Sequence, residues 1–334
     1  MPVISKFTAK LIGFGGFLPN KVVTNEDISK LVDTTNDWII ERTGIEERHI
    51  SELPTSHMSV AAAKSAIKSA NINPEEIDLI IVATTTPDLT FPSVSCLVQQ
   101  QIGAINASAF DIQAACAGFV YGLYVVKQFI ESGAHKKILL IGADKMSSVI
   151  DWADRSTCIL FGDGAGAVVI AAEDCDEAQI NNINNQPLAS GIIDSAIYSD
   201  SSLIDILRTN DGISTSGIAG KVEMSGQEVF RHAVTKMTAM IEDMLKKNNM
   251  SAKDIDFVVP HQANNRITSA VMKKLKLPIS RAISTVSKHG NTSAASIPLA
   301  LNDSVTNGTI KKGDVVVFVA IGAGLTSGCT ICKI

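Results

Sequence analysis

Two stretches of the chain carry one pattern of polar and apolar positions. Pro74-Glu75-Glu76-Ile77-Asp78-Leu79-Ile80-Ile81-Val82 and Ala252-Lys253-Asp254-Ile255-Asp256-Phe257-Val258-Val259 each pass from a charged turn into an unbroken, largely β-branched apolar run. Such runs mark strands buried on both faces. An amphipathic helical stretch precedes each, Met58 to Ala70 and Gly226 to Lys247, and a polar loop follows each, Thr84-Thr85-Thr86-Pro87 and His261-Gln262-Ala263-Asn264. The echo continues downstream. Ala115-Cys116-Ala117-Gly118 and Gly290-Asn291-Thr292-Ser293 each precede a helix ending near a glycine (Gly133, Gly308), then a lysine pair, then a strand, Ile138 to Gly142 or Val315 to Ile321. On this register Cys116 and Asn291 occupy corresponding places. Two similar βα halves predict an α/β protein of stacked layers, with helices sandwiched between sheets. The Asn- and Asp-rich segment Glu173 to Gln186 is the expected junction, dividing the chain into halves 1–178 and 179–334.

Composition narrows the classes. The 334 residues are 46% hydrophobic and 19% charged, a well-buried globular chain. Aromatics at 5% leave the core to Ile, Val, Leu and Ala. A net charge of -5 gives no reason to expect nucleic acid as a partner. The start, Met1-Pro2-Val3-Ile4-Ser5-Lys6, lacks a signal-peptide pattern, and no apolar stretch reaches the ~18 residues of a membrane span. Six cysteines (96, 116, 158, 175, 329 and 332) lack the paired CxxC spacing of a zinc site. Cys329 and Cys332 lie in a strand-like segment and read as buried thiols, so a reduced, cytoplasmic setting is expected.

Cys116 follows a strand and a turn of small residues and sits where a helix begins. The positive end of the helix dipole favours a thiolate there, and the Ala and Gly neighbours leave room for a substrate. His261 stands at the carboxyl end of a buried strand, where open α/β folds place ligands. Asn291 by itself reads as a helix cap, and His289 belongs to the loop leading to it. Gly162-Asp163-Gly164-Ala165-Gly166 lacks the order of a dinucleotide fingerprint and is followed by a strand. It reads as a tight turn or a close backbone approach. Gly322-Ala323-Gly324 could aim backbone N–H groups at a developing oxyanion.

Ala114-Ala115-Cys116-Ala117-Gly118, His261-Gln262-Ala263-Asn264 and His289-Gly290-Asn291-Thr292-Ser293-Ala294 together resemble the β-ketoacyl-acyl-carrier-protein synthase III family, the initiating condensing enzymes of bacterial fatty-acid synthesis. The resemblance runs from Gly13 to Gly328 and includes Trp38-Ile39-Ile40-Glu41-Arg42-Thr43-Gly44-Ile45-Glu46-Glu47-Arg48 and Phe161-Gly162-Asp163-Gly164-Ala165-Gly166. It implies the thiolase-like fold, duplicated halves in five α-β-α-β-α layers, and a homodimer. The implied reaction is a decarboxylating Claisen condensation. Cys116 would take an acyl group from an acyl-CoA, acetyl-CoA being the first expectation, and pass it to malonyl-acyl-carrier protein. His261 and Asn291 would hold the enolate, and the backbone N–H groups of Cys116 and Ala323 would hold the second oxyanion. No metal or redox cofactor is implied.

By the same resemblance Trp38 and Arg155 would sandwich the CoA adenine and Arg42 would lie near its phosphates. Phe230 and Asn264 would line the pantetheine channel, and Phe91 would reach the partner's acyl pocket. Arg266, Lys273, Lys274 and Lys276 follow the His261 loop, and with Arg231 they form the expected docking surface for an acidic carrier protein. The chain departs from the family at Ile321, where Phe is frequent, and at Ser327, where Trp is frequent; this leaves the primer open between acetyl and longer or branched groups. The competing readings are a relative that primes polyketide or signal-molecule synthesis and a non-catalytic acyl- or carrier-binding scaffold. A degradative thiolase would need a second cysteine as base, for which only Cys329 is available. Elongating synthases carry a second histidine where this chain has Asn291.

Overall fold

The computed structural model describes residues 6–174 and 190–334. The apolar runs form strands. In chain order these are β1 (Phe7–Phe17), β2 (Lys21–Thr24), β3 (Glu47–Ile50), β4 (Leu79–Ala83), β5 (Ser108–Ile112), β6 (Lys137–Lys145), β7 (Asp163–Asp174), β8 (Gly191–Ser199), β9 (Leu207–Thr209), β10 (Val222–Met224), β11 (Phe257–Pro260), β12 (Val315–Gly322) and β13 (Thr326–Lys333). One mixed sheet has the order β1-β7-β6-β4-β5 and the other β8-β13-β12-β11, while β2-β3 and β9-β10 are small ribbons. Both large sheets hold a parallel pair, β4 with β6 and β11 with β12, and in each the second strand of that pair has an antiparallel neighbour on its far side, β7 or β13. The second sheet lacks a full counterpart of β5 but keeps its trace, a parallel bridge from Val258 to Ala282. The halves are therefore built on one plan.

Helices Gly118–Glu131 and Ser296–Thr306 lie between the sheets. Phe119, Leu123, Ile297 and Leu301 share a core there with Leu140 and Val168 of one sheet and Val316 and Phe318 of the other. Thr55–Ala70 and Val94–Ile102 cover the outer face of the first sheet. Gly226–Lys247 and Asn265–Lys274 cover the second. These are the five layers of the thiolase-like arrangement. A fourth cluster, around Ile39, Ile159 and Phe161, seats the helix Asn36–Thr43 and the ribbon β9-β10 against the body.

Three sequence expectations change. The glycine-rich segment is not a turn, because Asp163–Gly166 begin β7. Its glycines serve close approach: a Cβ on Gly166 would lie 2.6 Å from the Leu299 nitrogen. Glu173 and Asp174 belong to β7 rather than to the junction. The boundary at 178/179 and Cys175 fall in 175–189, outside the described residues. Finally, Cys116 and Asn291 do not superpose in the repeat. Both helices are preceded by a 3₁₀ turn containing a non-glycine residue at positive φ, Ala115 (46°) and Ser293 (52°). Aligning these places Ala294 opposite Cys116, with Asn291 three residues earlier.

Candidate active site

Cys116 belongs to the turn Ala115–Ala117 that opens the helix Gly118–Glu131. His261 follows β11, its backbone N–H donating to Val319 O at 2.8 Å, so it continues the strand's path beside β12. Asn291 lies before the turn Ser293–Ala295. All three line one cavity of about 480 Å³, together with Trp38, Arg42, Phe230, Asn264, Arg266 and Ile321.

The rear atoms of the two polar side chains are pinned. Asn291 Oδ1 accepts the Ser293 N–H at 3.0 Å, which leaves the two N–H groups of Nδ2 as donors. His261 Nδ1 lies 2.7 Å from Ser296 Oγ, which itself accepts the Gln262 N–H at 3.3 Å. With the Ser296 hydroxyl donating to Nδ1, the neutral ring would carry its own hydrogen on Nε2, facing the cavity. Burial lowers the His261 pKa to about 4, so the ring is neutral at ordinary pH. Gln262, from the same polar loop, is absorbed by structure: it donates to Pro260 O and Ile283 O and accepts the Thr285 N–H.

Burial at Cys116 opposes the thiolate that the helix end favours. Burial pushes the thiol up to about 12 and outweighs a hydrogen bond from Ser293, and the Asp144 charge raises it further. Cys329 and Cys332 are buried on opposite faces of β13, in different cores, and burial raises both thiols. Cys329 lies outside the cavity.

Around the mouth, the guanidinium of Arg155 lies 5.0 Å and that of Arg42 5.1 Å from the Trp38 ring centre. Arg155 also donates to Asp33 O at 2.8 Å. Asn264 caps the helix Asn265–Lys274 by accepting the Arg266 N–H, and Arg266 lies 5.6 Å over the Phe230 ring. Lys273 and Lys274 are exposed in the last turn of that helix, whereas Lys276 lies beyond its end at positive φ. Arg231 is exposed but paired with Glu228 at 2.6 Å. Phe91 is 83% exposed and outside the cavity, as is His289, which pairs with Asp303. Ser327 is buried on β13 opposite Ile321 and does not line the cavity. Among the described residues no helix is long and apolar enough to cross a membrane, and no group of His, Cys, Asp and Glu is placed to hold a metal ion.

Two family models match the chain: 3-oxoacyl-[acyl-carrier-protein] synthase III over residues 110–186 and the C-terminal model of the same family over 245–334. A β-ketoacyl-[acyl-carrier-protein] synthase III of Rickettsia felis is 49% identical, the match covering 98% of this chain and 99% of the relative. The chain belongs to the β-ketoacyl-acyl-carrier-protein synthase III family. Its Wolbachia pipientis relative of the same name is 51% identical over 96% of this chain and 98% of its own. The solved 3-oxoacyl-[acyl-carrier-protein] synthase III of Aquifex aeolicus is 42% identical, with a TM-score of 0.89 over 98% of this chain and all of that one. A priming β-ketosynthase of the R1128 polyketide pathway is 32% identical, with a TM-score of 0.91 over 100% of this chain and 98% of its own. Membership makes the chain a condensing acyltransferase. Beside the expected synthase III residues stand Asp144, Ser293 and Ser296, to which sequence reasoning gave no role, and the threonines 84–86. Only the hydroxyl-rich Thr84-Thr85-Thr86 loop stood out in the sequence, and nothing there tied it to a carboxylate 58 to 60 residues away.

Proposed function

We propose that this chain joins an acyl-CoA to malonyl-acyl-carrier protein by decarboxylating Claisen condensation, initiating type II fatty-acid synthesis through an acyl-Cys116 thioester. The observation that carries the reading is the single cavity holding one thiol and two side-chain donors, each fixed from behind. Cys116 attacks the acyl-CoA carbonyl and CoA leaves. Malonyl-carrier protein then enters. His261 Nε2–H and Asn291 Nδ2–H donate to its thioester carbonyl as carbon dioxide departs, and the enolate carbon attacks the Cys116 thioester. Preorganised donors suit this task because they are oriented before charge develops. The second oxyanion falls to the backbone N–H groups of Cys116 and Ala323. A Cβ on Gly322 would lie 2.8 Å from the Cys116 nitrogen, so the two segments run close enough to share one oxygen.

An adenine between Trp38 and Arg155 requires that guanidinium to swing away from the ring by one ring thickness. Arg42 faces the phosphates, while Phe230 and Asn264 flank the pantetheine arm. Arg266, Lys273 and Lys274, exposed and in no ion pair among the described residues, offer cationic surface for an acidic carrier, Arg266 from over the Phe230 ring; Arg231 must first leave Glu228. Phe91 and Leu89, both largely exposed and apolar, fit burial in a homodimer. No step uses a metal or redox group.

The test is intact-protein mass spectrometry with a panel of acyl-CoAs, followed by a malonyl-carrier chase. An acyl adduct on Cys116, discharged with release of carbon dioxide, is expected, and acetyl should load fastest. Preferential loading of a longer or branched primer would transfer the role to polyketide or other specialised priming. The absence of any adduct would overturn the reading in favour of a binding scaffold.

A further inference from the structure

The two side-chain donors lean on one segment of chain. The Ser293 N–H fixes Asn291 Oδ1, and Ser296, where the helix Ser296–Thr306 begins, meets His261 Nδ1. Whatever seats the intervening turn, Ser293–Ala295, therefore sets both donors at once. β6 of the first sheet reaches this turn with two residues on one face, Gly142 and Asp144. Gly142 gives room, since a Cβ there would lie 2.3 Å from Ala294 O. Asp144 gives the hold: its Oδ2 accepts the Ala294 N–H at 3.1 Å.

Asp144 is itself fixed from the other side. It is completely buried and lies outside the cavity. Its Oδ1 accepts the Thr85 N–H at 2.7 Å and the hydroxyls of Thr84 (3.1 Å), Thr85 (3.0 Å) and Thr86 (3.2 Å). That loop is tied down in turn. The Thr84 N–H donates to Ile112 O at 3.2 Å, the Lys145 N–H to Thr86 Oγ1 at 2.7 Å, and the Thr55 hydroxyl to Thr86 O at 2.6 Å. The donors on both oxygens, with the positive end of the helix beyond Ala295, offset the cost of burying a charge. A carboxylate is what this place requires. Each oxygen faces a backbone N–H, which can only donate, so a side chain with one acceptor atom cannot satisfy both.

We propose that Asp144 is a positioning residue for the condensation: by holding the Ala294 N–H it keeps Asn291 Nδ2 and His261 Nε2 aimed at one carbonyl. This rests on the functional reading above and deepens it. Asp144 touches no reacting atom. The turn bearing Cys116 is held separately, its Ala114 O accepting the Ala117 N–H at 3.0 Å and the Thr326 hydroxyl at 2.8 Å. Enolate formation thus depends on Asp144, and acyl loading does not.

The test compares Asp144→Asn with wild type in the two half-reactions, acyl loading of Cys116 by intact mass and carbon dioxide release from malonyl-carrier protein. The amide must turn its NH₂ towards one of the two backbone donors, so one tie is lost. Decarboxylation should fall about 10²-fold, the size of losing one donor, while loading changes by less than about threefold. A merely structural defect would lower both alike; equal losses, or none, would overturn the proposal. A second readout needs no substrate. In NMR spectra of isotope-labelled histidine, the His261 ring nitrogens should shift in Asp144→Asn as Ser296 leaves Nδ1, the signals being identified by their absence from His261→Ala. Superposable spectra would overturn the brace. Should Asp144→Asn fail to fold, Thr85→Val removes a hydroxyl whose one hydrogen bond among the described residues is to Oδ1. It should show the same split at about tenfold, and equal half-reactions there would overturn the proposal. A wild type that takes no acyl-CoA would count against the condensing reading alone, while the ring spectra still decide on Asp144.

Discussion

The turns 114–118 and 292–296 follow one backbone course at the heads of the two central helices, yet their chemistry differs. Cys116 in one is matched by Ala294 in the other. Two residues after Ala294, Ser296 opens the helix and supports His261, and three residues before Ala294 stands Asn291. The neighbouring strands differ in a complementary way. The repeat that matches Leu79 with Phe257 and Ile138 with Val316 also matches Asp144 with Gly322. Asp144 occupies the Ala294 N–H with its carboxylate, whereas Gly322 has no side chain to cover the Cys116 N–H. Duplication supplied two positively polarised helix ends at one place. Side chains then closed one backbone donor and left the other open beside the thiol.

Cys116→Ala makes the two turns alike and should have the largest effect. Condensation is expected to fall at least about 10³-fold, with the acyl adduct lost altogether. Product formation and intact mass measure the two. Appreciable turnover would show that the asymmetry between the turns is not the basis of catalysis.

Next in size, His261→Ala and Asn291→Ala remove donors contributed by the C-terminal half. Decarboxylation and condensation should drop about 10²–10³-fold. Acyl transfer from CoA, which depends on the N-terminal turn, should be far less affected. Equal losses in both half-reactions would erase the division of labour between the halves.

Gly322→Ala tests the open donor. Its Cβ would fall 2.8 Å from both Ala114 O and the Cys116 nitrogen. The turn must shift, so both half-reactions should slow by about 10²-fold, the size of losing one oxyanion donor. Overpacking should also cost about 1–3 kcal/mol of stability. Rate measurements beside denaturant unfolding separate these effects; unchanged acyl transfer would remove the Cys116 N–H from the oxyanion site.

The contrast between the halves was partly legible in the sequence. The repeat and the stacked layers show because continuous apolar runs and polar loops recur in order, whereas Cys116, His261 and Asn291 stood out together only through the family resemblance. The residue-level register did not show, since it depends on the positive φ of Ala115 and Ser293, which neither residue type announces. Nor could the burial that opposes ionisation of Cys116 be read there. A helix end is visible in sequence, while the desolvation that opposes it comes from packing around the thiol.

The smallest expected effect concerns acid stability and separates the neutral donor from a charged one. Folding lowers the His261 pKa from its ordinary 6.5 to about 4 through desolvation. Between these values the unfolded chain binds a proton that the native chain refuses. Stability therefore falls as pH drops from 6.5 through about 4, and this contribution is absent above 6.5. His261→Ala lacks the group, so its unfolding midpoint should decline less steeply in that window even if it is lower throughout. The readout is the difference between the two slopes in denaturant titrations at stepped pH. Parallel curves would mean that the imidazole is protonated as easily inside the fold as outside. A ring of that kind would be cationic only below about pH 6.5 and a mixture of the two forms near pH 7, and the account of His261 as a donor kept neutral by burial would have to be given up.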